Sequence, residues 1–411
     1  MIDVAILGYG VVGSGTAEVL IDNAKLIEKS VGQPVNLKYI LDIRDFSSSP
    51  LSQKFTKDFG QIEADKDVRV VIEVIGGVNP AYDFTKRALA AGKSVVTSNK
   101  ELVACHGAEL LELARANNVN YLFEASVGGG IPVIRPINQC LSANRMTQVA
   151  GILNGTTNYV LTKMITQGVS FDSALKEAQE KGYAERNPDS DILGHDTCRK
   201  ICILASLCFG RHVYPQYVKT QGITGITLTD VDYAAAAGMK IKLLGRAVEQ
   251  GGLVYAYVAP HFVPKAEMLA NVEDVFNGVM VSGNAVGQVM FYGPGAGKLP
   301  TASAVVADVI DAARHPEARK QITWQDGDEN TVADADNLAI KRYIRLCTSA
   351  SDIKDQIAGA FGAVEYIENP ADAAKNQVAF ITGAISQKAI NTAVAAFEDC
   401  EICAQMPVLG V

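Results

Sequence analysis

Six apolar-rich residues, Ile2–Leu7, run directly into Gly8-Tyr9-Gly10-Val11-Val12-Gly13, and the pattern beyond is helical to about residue 29. Strand, G-x-G-x-x-G and helix in that order constrain the fold more than any other feature of the chain. Gly8 permits a tight turn, Gly10 lets backbone approach a pyrophosphate, and Gly13 allows close helix packing, with Val12 in the same loop. The helix N-terminus adds free N–H groups and partial positive charge for phosphates. The competing explanation is a turn with incidental glycines. It is disfavoured because the motif opens an alternating β/α segment.

That alternation continues with strand patterns at 37–43, 68–75, 94–97 and 120–123, and helical patterns at 82–91 and 107–116. Short, all-apolar strands are buried on both faces, which implies a parallel sheet covered by helices. The expectation is an α/β class with a Rossmann-type doubly wound dinucleotide-binding domain over 1–131. A glycine-rich hinge at 293–297 and a helix at 301–313 would return to complete it, over 293–320. Between them, 132–292 reads as an α+β substrate-binding and dimerisation domain. It has helices to 209, then strands at 241–248, 254–259, 279–282 and 289–291, with a hairpin turn at Gly251-Gly252. A polar, acidic crossover at 324–336 precedes a last unit, 337–411, ordered βαββαβ: strand 339–347, helix 352–361, strands 363–367 and 377–382, helix 387–397, strand 401–408. That order is ferredoxin-like.

At 411 residues the chain is too long for one compact domain. A formal charge of −8 leaves no basic stripe to neutralise phosphates, so nucleic acid is excluded as a partner. No apolar run approaches the ~18 residues of a membrane span, and no basic leader precedes the first strand. The chain reads as cytoplasmic, with its eight cysteines reduced. Cys105, Cys140, Cys202, Cys208 and Cys347 sit in apolar stretches, as small hydrophobes do. Cys400 and Cys403 form a C-x-x-C with no second pair, read as thiols of a terminal strand rather than a zinc or redox site. Cys198 and Cys202 lie four apart near His195, for which core packing is preferred over a metal cluster. His106, His195, His212, His261 and His315 are scattered, and none is assigned catalysis.

Cofactor choice turns on Leu41-Asp42-Ile43-Arg44-Asp45. An acid at the end of the second strand suits the ribose hydroxyls of NAD, and an arginine suits the extra phosphate of NADP. Asp42 and Arg44 would share a strand face by alternation. Both remain open, with NADP favoured through Arg44.

The densest chemistry lies between 178 and 200. An acidic, Gly/Pro-containing loop feeds a helix on which Asp196 and Lys200 are spaced i, i+4, side by side on one face. For an arbitrary pair a surface salt bridge would be the better reading. Here Gly182-Tyr183, Glu185 before Asn187-Pro188, Asp191-Ile192-Leu193-Gly194-His195-Asp196 and Lys200 resemble, almost position by position, the signature of the homoserine dehydrogenases. Further similar segments are Thr97-Ser98-Asn99-Lys100, Glu124-Ala125-Ser126-Val127-Gly128-Gly129-Gly130-Ile131-Pro132, Asn154-Gly155-Thr156-Thr157-Asn158 and the late glycines including Gly295. Together they span residues 1 to about 315.

The resemblance implies an NAD(P)-dependent oxidoreductase that interconverts L-aspartate 4-semialdehyde and L-homoserine in threonine and methionine biosynthesis. Lys200 would be the acid/base, and Lys100 a second cation near nicotinamide and substrate. A buried lysine suits proton transfer once its pKa falls toward about 7–8, and two lysines would stabilise a developing oxyanion. Glu185 and Asp196 would bind the substrate ammonium, with Asp191 the alternative or an orienting group. Gly8, Gly10, Val12, Gly13, Arg44, Lys100 and Gly295 would bind cofactor. Glu124, Val127, Gly129 and Ile131 correspond to the family's monovalent-cation ligands, sodium for example, mainly through carbonyls. The sequence has no His/Asp cluster there for a transition metal.

The tail resembles an ACT domain, a module that binds amino acids across dimer interfaces. Where many such domains have Asp-x-Pro-Gly, however, this chain reads Thr348-Ser349-Ala350-Ser351-Asp352. Threonine as effector and plain oligomerisation, as homodimer or homotetramer, both stand. A fused aspartate kinase domain is not expected, since the chain starts at the dehydrogenase strand. Two rivals are another amino-acid-linked NAD(P) reductase of similar plan and a non-catalytic amino-acid sensor. The first should lack the series from Glu185 to Lys200, and the second should have lost Lys100 or Lys200.

Overall fold

The computed structural model describes residues 1–317, 322, 324–368, 370, 376–397 and 399–410. Residues 318–320 of the segment expected to complete the first domain therefore lie outside the described residues, as do 369, 371–375, 398 and 411 of the tail.

The first sheet is parallel throughout, in the order Phe55–Thr56, Val35–Leu41, Ile2–Leu7, Val68–Glu73, Ser94–Thr97, Tyr121–Leu122. Every residue of Ile2–Leu7 is buried, as a central strand covered on both faces must be. The chain steps from this strand to one side and later returns to the other. Gly8 therefore stands at the topological switch point, where open α/β sheets bind ligands. The helix expected to reach residue 29 is broken at Asn23 into Val11–Asp22 and Ala24–Val31. Asn23 leaves the helical region (φ −100°, ψ 16°), in keeping with the local backbone bonding that asparagine offers instead of helix. Helix Lys298–Arg314 packs against Val11–Asp22 so closely that a Cβ on Gly15 would come within 2.9 Å of the Lys298 carbonyl.

The second sheet runs Gly287–Pro294, Phe276–Gly283, Met146–Ile152, Met239–Gln250, Leu253–Pro264, Lys219–Thr220. Its long hairpin turns at Gly251-Gly252, both at positive φ, as expected. The strand Met146–Ile152, central here, was not among the expected strands of a region read as dominated by helices to residue 209. Seven residues are too few for apolar periodicity to separate a buried strand from a helix. Helices Gly155–Gln167 and His195–Phe209 lie against this sheet.

The tail forms an antiparallel sheet in the order Glu365–Ile367, Gln377–Ile381, Arg342–Thr348, Cys400–Pro407, with helices Ile353–Phe361 and Gln387–Val394, the ferredoxin-like arrangement expected. It is fastened to the second sheet. Tyr343 stacks on Phe262 with centroids 4.0 Å apart, the Leu409 amide donates to the Phe262 carbonyl at 2.8 Å, and buried Arg345 pairs with buried Asp230 at 2.9 Å. The cysteine reading needs correction here. Cys347 and Cys403 are joined in a disulfide rather than both being free thiols. Their strands are adjacent, and a register shift between Arg345 and Leu346 brings the two Cα atoms to 5.8 Å. A pairing 56 residues apart leaves no local trace in sequence. Cys400, the other half of the C-x-x-C, is free. No helix of the described residues is long and apolar enough to cross a membrane.

Candidate active site

At the cofactor end the three motif glycines have distinct jobs. Gly8 has φ +94°, and a Cβ there would sit 3.0 Å from the Val74 carbonyl. At Gly13 a Cβ would fall 2.0 Å from the Gly8 carbonyl oxygen, so the helix can close on the loop only without it. A Cβ on Gly10 would meet nothing within 4 Å, which leaves open space at the start of helix Val11–Asp22. Val12 is half-buried and packs with the apolar cluster beneath the loop. Gly295 serves packing: a Cβ would overlap the Asn277 side chain at 1.9 Å, and its carbonyl abuts Gly129.

Asp42 and Arg44 do not share a strand face, because the strand ends at Leu41. Instead they pair with each other. The Arg44 Nε donates to Asp42 Oδ1 at 3.0 Å and its terminal nitrogen to Oδ2 at 2.8 Å, while the Tyr9 amide also donates to Oδ2 at 2.7 Å. These donors, the Arg44 guanidinium first, hold the Asp42 carboxyl well below the usual range. The guanidinium lies over the Phe46 ring, 5.1 Å from its centroid, and its side chain is 56% exposed.

The lysine–aspartate cluster, the candidate substrate end, is assembled from segments far apart in sequence. Asn99 caps helix Lys100–Ala116 by accepting from the Leu102 amide at 3.1 Å, and its amide donates to the Gly77 carbonyl at 2.6 Å. Thr97 beneath it donates to buried Glu73 at 2.6 Å. This turn delivers Lys100, the first residue of its helix, to Asp196 Oδ1 at 3.0 Å. The other oxygen, Oδ2, accepts from Lys200 at 2.8 Å, and Lys200 also donates to the Leu153 carbonyl at 2.7 Å. One buried carboxylate thus holds both lysines.

Their electrostatics diverge. Burial pushes Lys200 below the ordinary lysine value, Asp196 opposes this, and Lys100 reinforces it. Lys100, which is more exposed, is raised chiefly by the Asp196 charge. Asp196 stays well below its usual range: burial works against ionisation, but the two ammonium groups outweigh it. Asp191 is raised by burial and by the neighbouring Asp196 charge.

Lys100, Lys200, Asp196 and Asp191 are therefore brought together. Glu185 is not: it is exposed and makes no side-chain ion pair with the described residues. The turn before it is tied to the start of helix Gly155–Gln167, where Thr156 donates to the Tyr183 carbonyl at 2.5 Å. The group without an assigned role in sequence is Asn154, whose amide donates to both Asp191 (2.8 Å) and Asp196 (3.0 Å). In sequence it stood only as the first residue of the Asn154–Asn158 segment, and its cap of helix Gly155–Gln167 is seen in the fold.

In the loop proposed for a cation, the Glu124 side chain is already used. It accepts from the backbone amides of Val133, Ile134 and Arg135 at 2.6–2.8 Å. The Glu124 amide in turn donates to buried Asp308, which is raised to about 7 by burial, then by the Glu124 charge. Arg135 pairs with the same carboxylate. Gly129 has φ +56°, and the carbonyls of Val127, Gly129 and Ile131 accept no backbone hydrogen bond from the described residues. Carbonyl donors of this kind fit a hard monovalent cation.

Comparison with known proteins bears on the whole constellation. The model of the homoserine dehydrogenase NAD-binding domain matches residues 8–124, and that of homoserine dehydrogenase matches 132–310. A homoserine dehydrogenase of Neisseria gonorrhoeae is 36% identical over 99% of this chain and 97% of its own. A solved homoserine dehydrogenase of Thiobacillus denitrificans superposes with a TM-score of 0.90 at 34% identity, covering 99% of this chain and 98% of that one. A hyperthermophilic archaeal homoserine dehydrogenase mutant, solved in complex with NADPH, covers 76% of this chain and 97% of its own, with a TM-score of 0.64 and 27% identity. By its sheet, its glycine loop, its lysine–aspartate cluster and these likenesses, the chain belongs to the homoserine dehydrogenase family of NAD(P)-dependent oxidoreductases.

Proposed function

We propose that this chain interconverts L-homoserine and L-aspartate 4-semialdehyde, with Lys200 as the acid/base. The observation that carries this is the single carboxylate, Asp196, gripping two lysines whose proton affinities are driven apart. Bound dinucleotide supplies or receives the hydride. In the reductive direction Lys200 gives its proton to the carbonyl oxygen as that oxygen gains charge. In the oxidative direction neutral Lys200 takes the hydroxyl proton. Lys100, held in its charged form, stabilises the oxyanion. Asp196, Asp191 and Glu185 at the rim offer acceptors to the substrate ammonium.

The Gly8–Gly13 loop and the free amides beyond Gly10 would receive the pyrophosphate. Gly295 supports the neighbouring loop, and Arg44 favours NADP over NAD. The carbonyls of residues 124, 127, 129 and 131 would hold a monovalent cation such as sodium, which would brace that loop. The tail would serve a homodimer or homotetramer, with threonine as its effector.

The test is an absorbance assay of homoserine oxidation with NAD and with NADP, repeated on Lys200→Ala. Turnover is expected with wild type, and a loss of about 10²–10⁴-fold in kcat with the variant. Because homoserine oxidation needs the deprotonated lysine, its rate should rise with pH through the Lys200 titration, and semialdehyde reduction should fall. A wild type inert with both cofactors overturns the function, as a non-catalytic sensor would require. A fully active Lys200→Ala overturns only the role of that residue.

A further inference from the structure

We propose that Asn154 is a positioning residue for this reaction: its side-chain amide ties Asp191 to Asp196 and thereby fixes the carboxylate that holds Lys200. The inference rests on Lys200 acting as the acid/base.

Asn154 lies between strand Met146–Ile152 and helix Gly155–Gln167. Its Oδ1 accepts from the Thr157 amide at 2.9 Å and caps the helix. Both amide protons go to carboxylates, one to Asp191 Oδ1 at 2.8 Å and one to Asp196 Oδ2 at 3.0 Å. An asparagine amide has two donors, and both are spent on protein. Its donors are therefore not available to a substrate. It acts through the two aspartates.

The oxygen of Asp196 that receives this bond is the one bonded to Lys200. Lys200 gives a second proton to the carbonyl of Leu153, the neighbouring residue. Residues 153 and 154 thus set both fixed partners of Lys200, one directly and one through Asp196. Two of the three ammonium protons are committed, and the third is left for the reacting oxygen. The residue type also matters. A buried carboxylate, Asp196, and a half-buried one, Asp191, repel each other at this distance, and a neutral double donor between them compensates both. Aspartate would add a third negative charge, and alanine would leave both oxygens short of a donor.

Asn154→Asp separates positioning from structure, because aspartate caps helices as well as asparagine but lacks the two donors. Full-length enzyme should keep its NADPH affinity and lose about tenfold in kcat for homoserine. The rise of activity with pH should move up by about one unit, since added negative charge favours charged Lys200. Asn154→Ser, which keeps an oxygen cap and one donor, should move the profile in the same direction by less. It carries the test if the aspartate variant fails to fold. A variant that loses thermal stability while its pH profile stays at the wild-type position overturns the proposal. Lys200→Ala separates the two failures. If it remains active, the acid/base reading falls. If it is dead and the Asn154 profiles do not move, only the Asn154 role falls.

Discussion

The cofactor end and the substrate end of this molecule solve opposite problems with opposite materials. Around Gly8–Gly13 the site is made of backbone: turn geometry, bare Cα atoms and the start of a helix. A charged pair there, Asp42 with Arg44, is partly exposed. Around Asp196 the site is made of buried charge, in which Lys100, Lys200, Asp191 and Asn154 arrive from separate segments and converge on shared oxygens. A dinucleotide phosphate is recognised by shape and amides, which a short contiguous motif can encode. Proton transfer needs a lysine with a tuned proton affinity, and tuning takes several partners that only the folded chain can assemble.

If that contrast is right, the substrate end should be the more fragile to an isosteric change of charge. Asp196→Asn keeps the volume and leaves two ammonium groups without their common anion. Removing one member of a buried pair costs about 3–5 kcal/mol of folding stability, and with the acid/base lysine unanchored kcat/KM for homoserine should fall by about 10²-fold or more. Loss of the negative charge also removes the interaction that raises Lys200. Its titration should move to lower pH, the reverse of the direction expected for Asn154→Asp. Steady-state kinetics across pH read both effects, and a profile displaced upward would contradict the assignment of Asp196 as the counter-charge.

At the cofactor end the matching experiment changes no charge. Gly13→Ala places a methyl 2.0 Å from the Gly8 carbonyl oxygen, so loop or helix must shift. A stability loss of about 1–3 kcal/mol is expected, together with weakened cofactor binding. Gly10→Ala meets nothing within 4 Å. Its stability should stay within about 0.5 kcal/mol of wild type, while cofactor affinity falls because the methyl occupies space a phosphate would use. Thermal melting and cofactor titration of the pair separate the roles. Equal affinity loss with equal destabilisation would mean that Gly10 matters for folding and not for the ligand.

How far each end could be read in advance follows from the same distinction. The strand, glycine loop and helix lie in unbroken sequence, and the parallel sheet around them follows from all-apolar strands. The pairing of Asp196 with Lys200 was legible because i, i+4 spacing is local, and its chemical role because the segment from Glu185 to Lys200 resembles a family signature in unbroken sequence. Lys100 against Asp196, and Asn154 between two aspartates, are pairings 96 and 42 residues apart, with no periodic signature. The same reason hid the Cys347–Cys403 bridge and the central strand Met146–Ile152, whose identity comes from the neighbours it pairs with. Asp42 and Arg44 show the converse error. Alternation was applied past Leu41, where the strand had already ended, and two residues expected to point the same way proved to be each other's partners.

That pair offers the smallest effect and the finest test of the contrast, since it brings charge to the loop beside Gly8–Gly13. Arg44 is engaged with Asp42 and stacked near Phe46, yet its side chain is more than half exposed and free to swing toward a phosphate. A charge-assisted bond to an anion contributes about 1.5–3 kcal/mol. With the side chain more than half exposed the lower end of that range applies, and Arg44→Gln should raise the KM for NADP by about tenfold. The same change releases Asp42, which keeps the Tyr9 amide but loses the guanidinium, and a released carboxylate is the group that accepts ribose hydroxyls. The KM for NAD should accordingly hold or fall, and kcat with either cofactor should stay near wild type, because nothing at Asp196 has changed. Loss of both cofactors together would instead mean that the Asp42–Arg44 pair braces the glycine loop through Tyr9. The cofactor end would then depend on buried charge in the way the substrate end does.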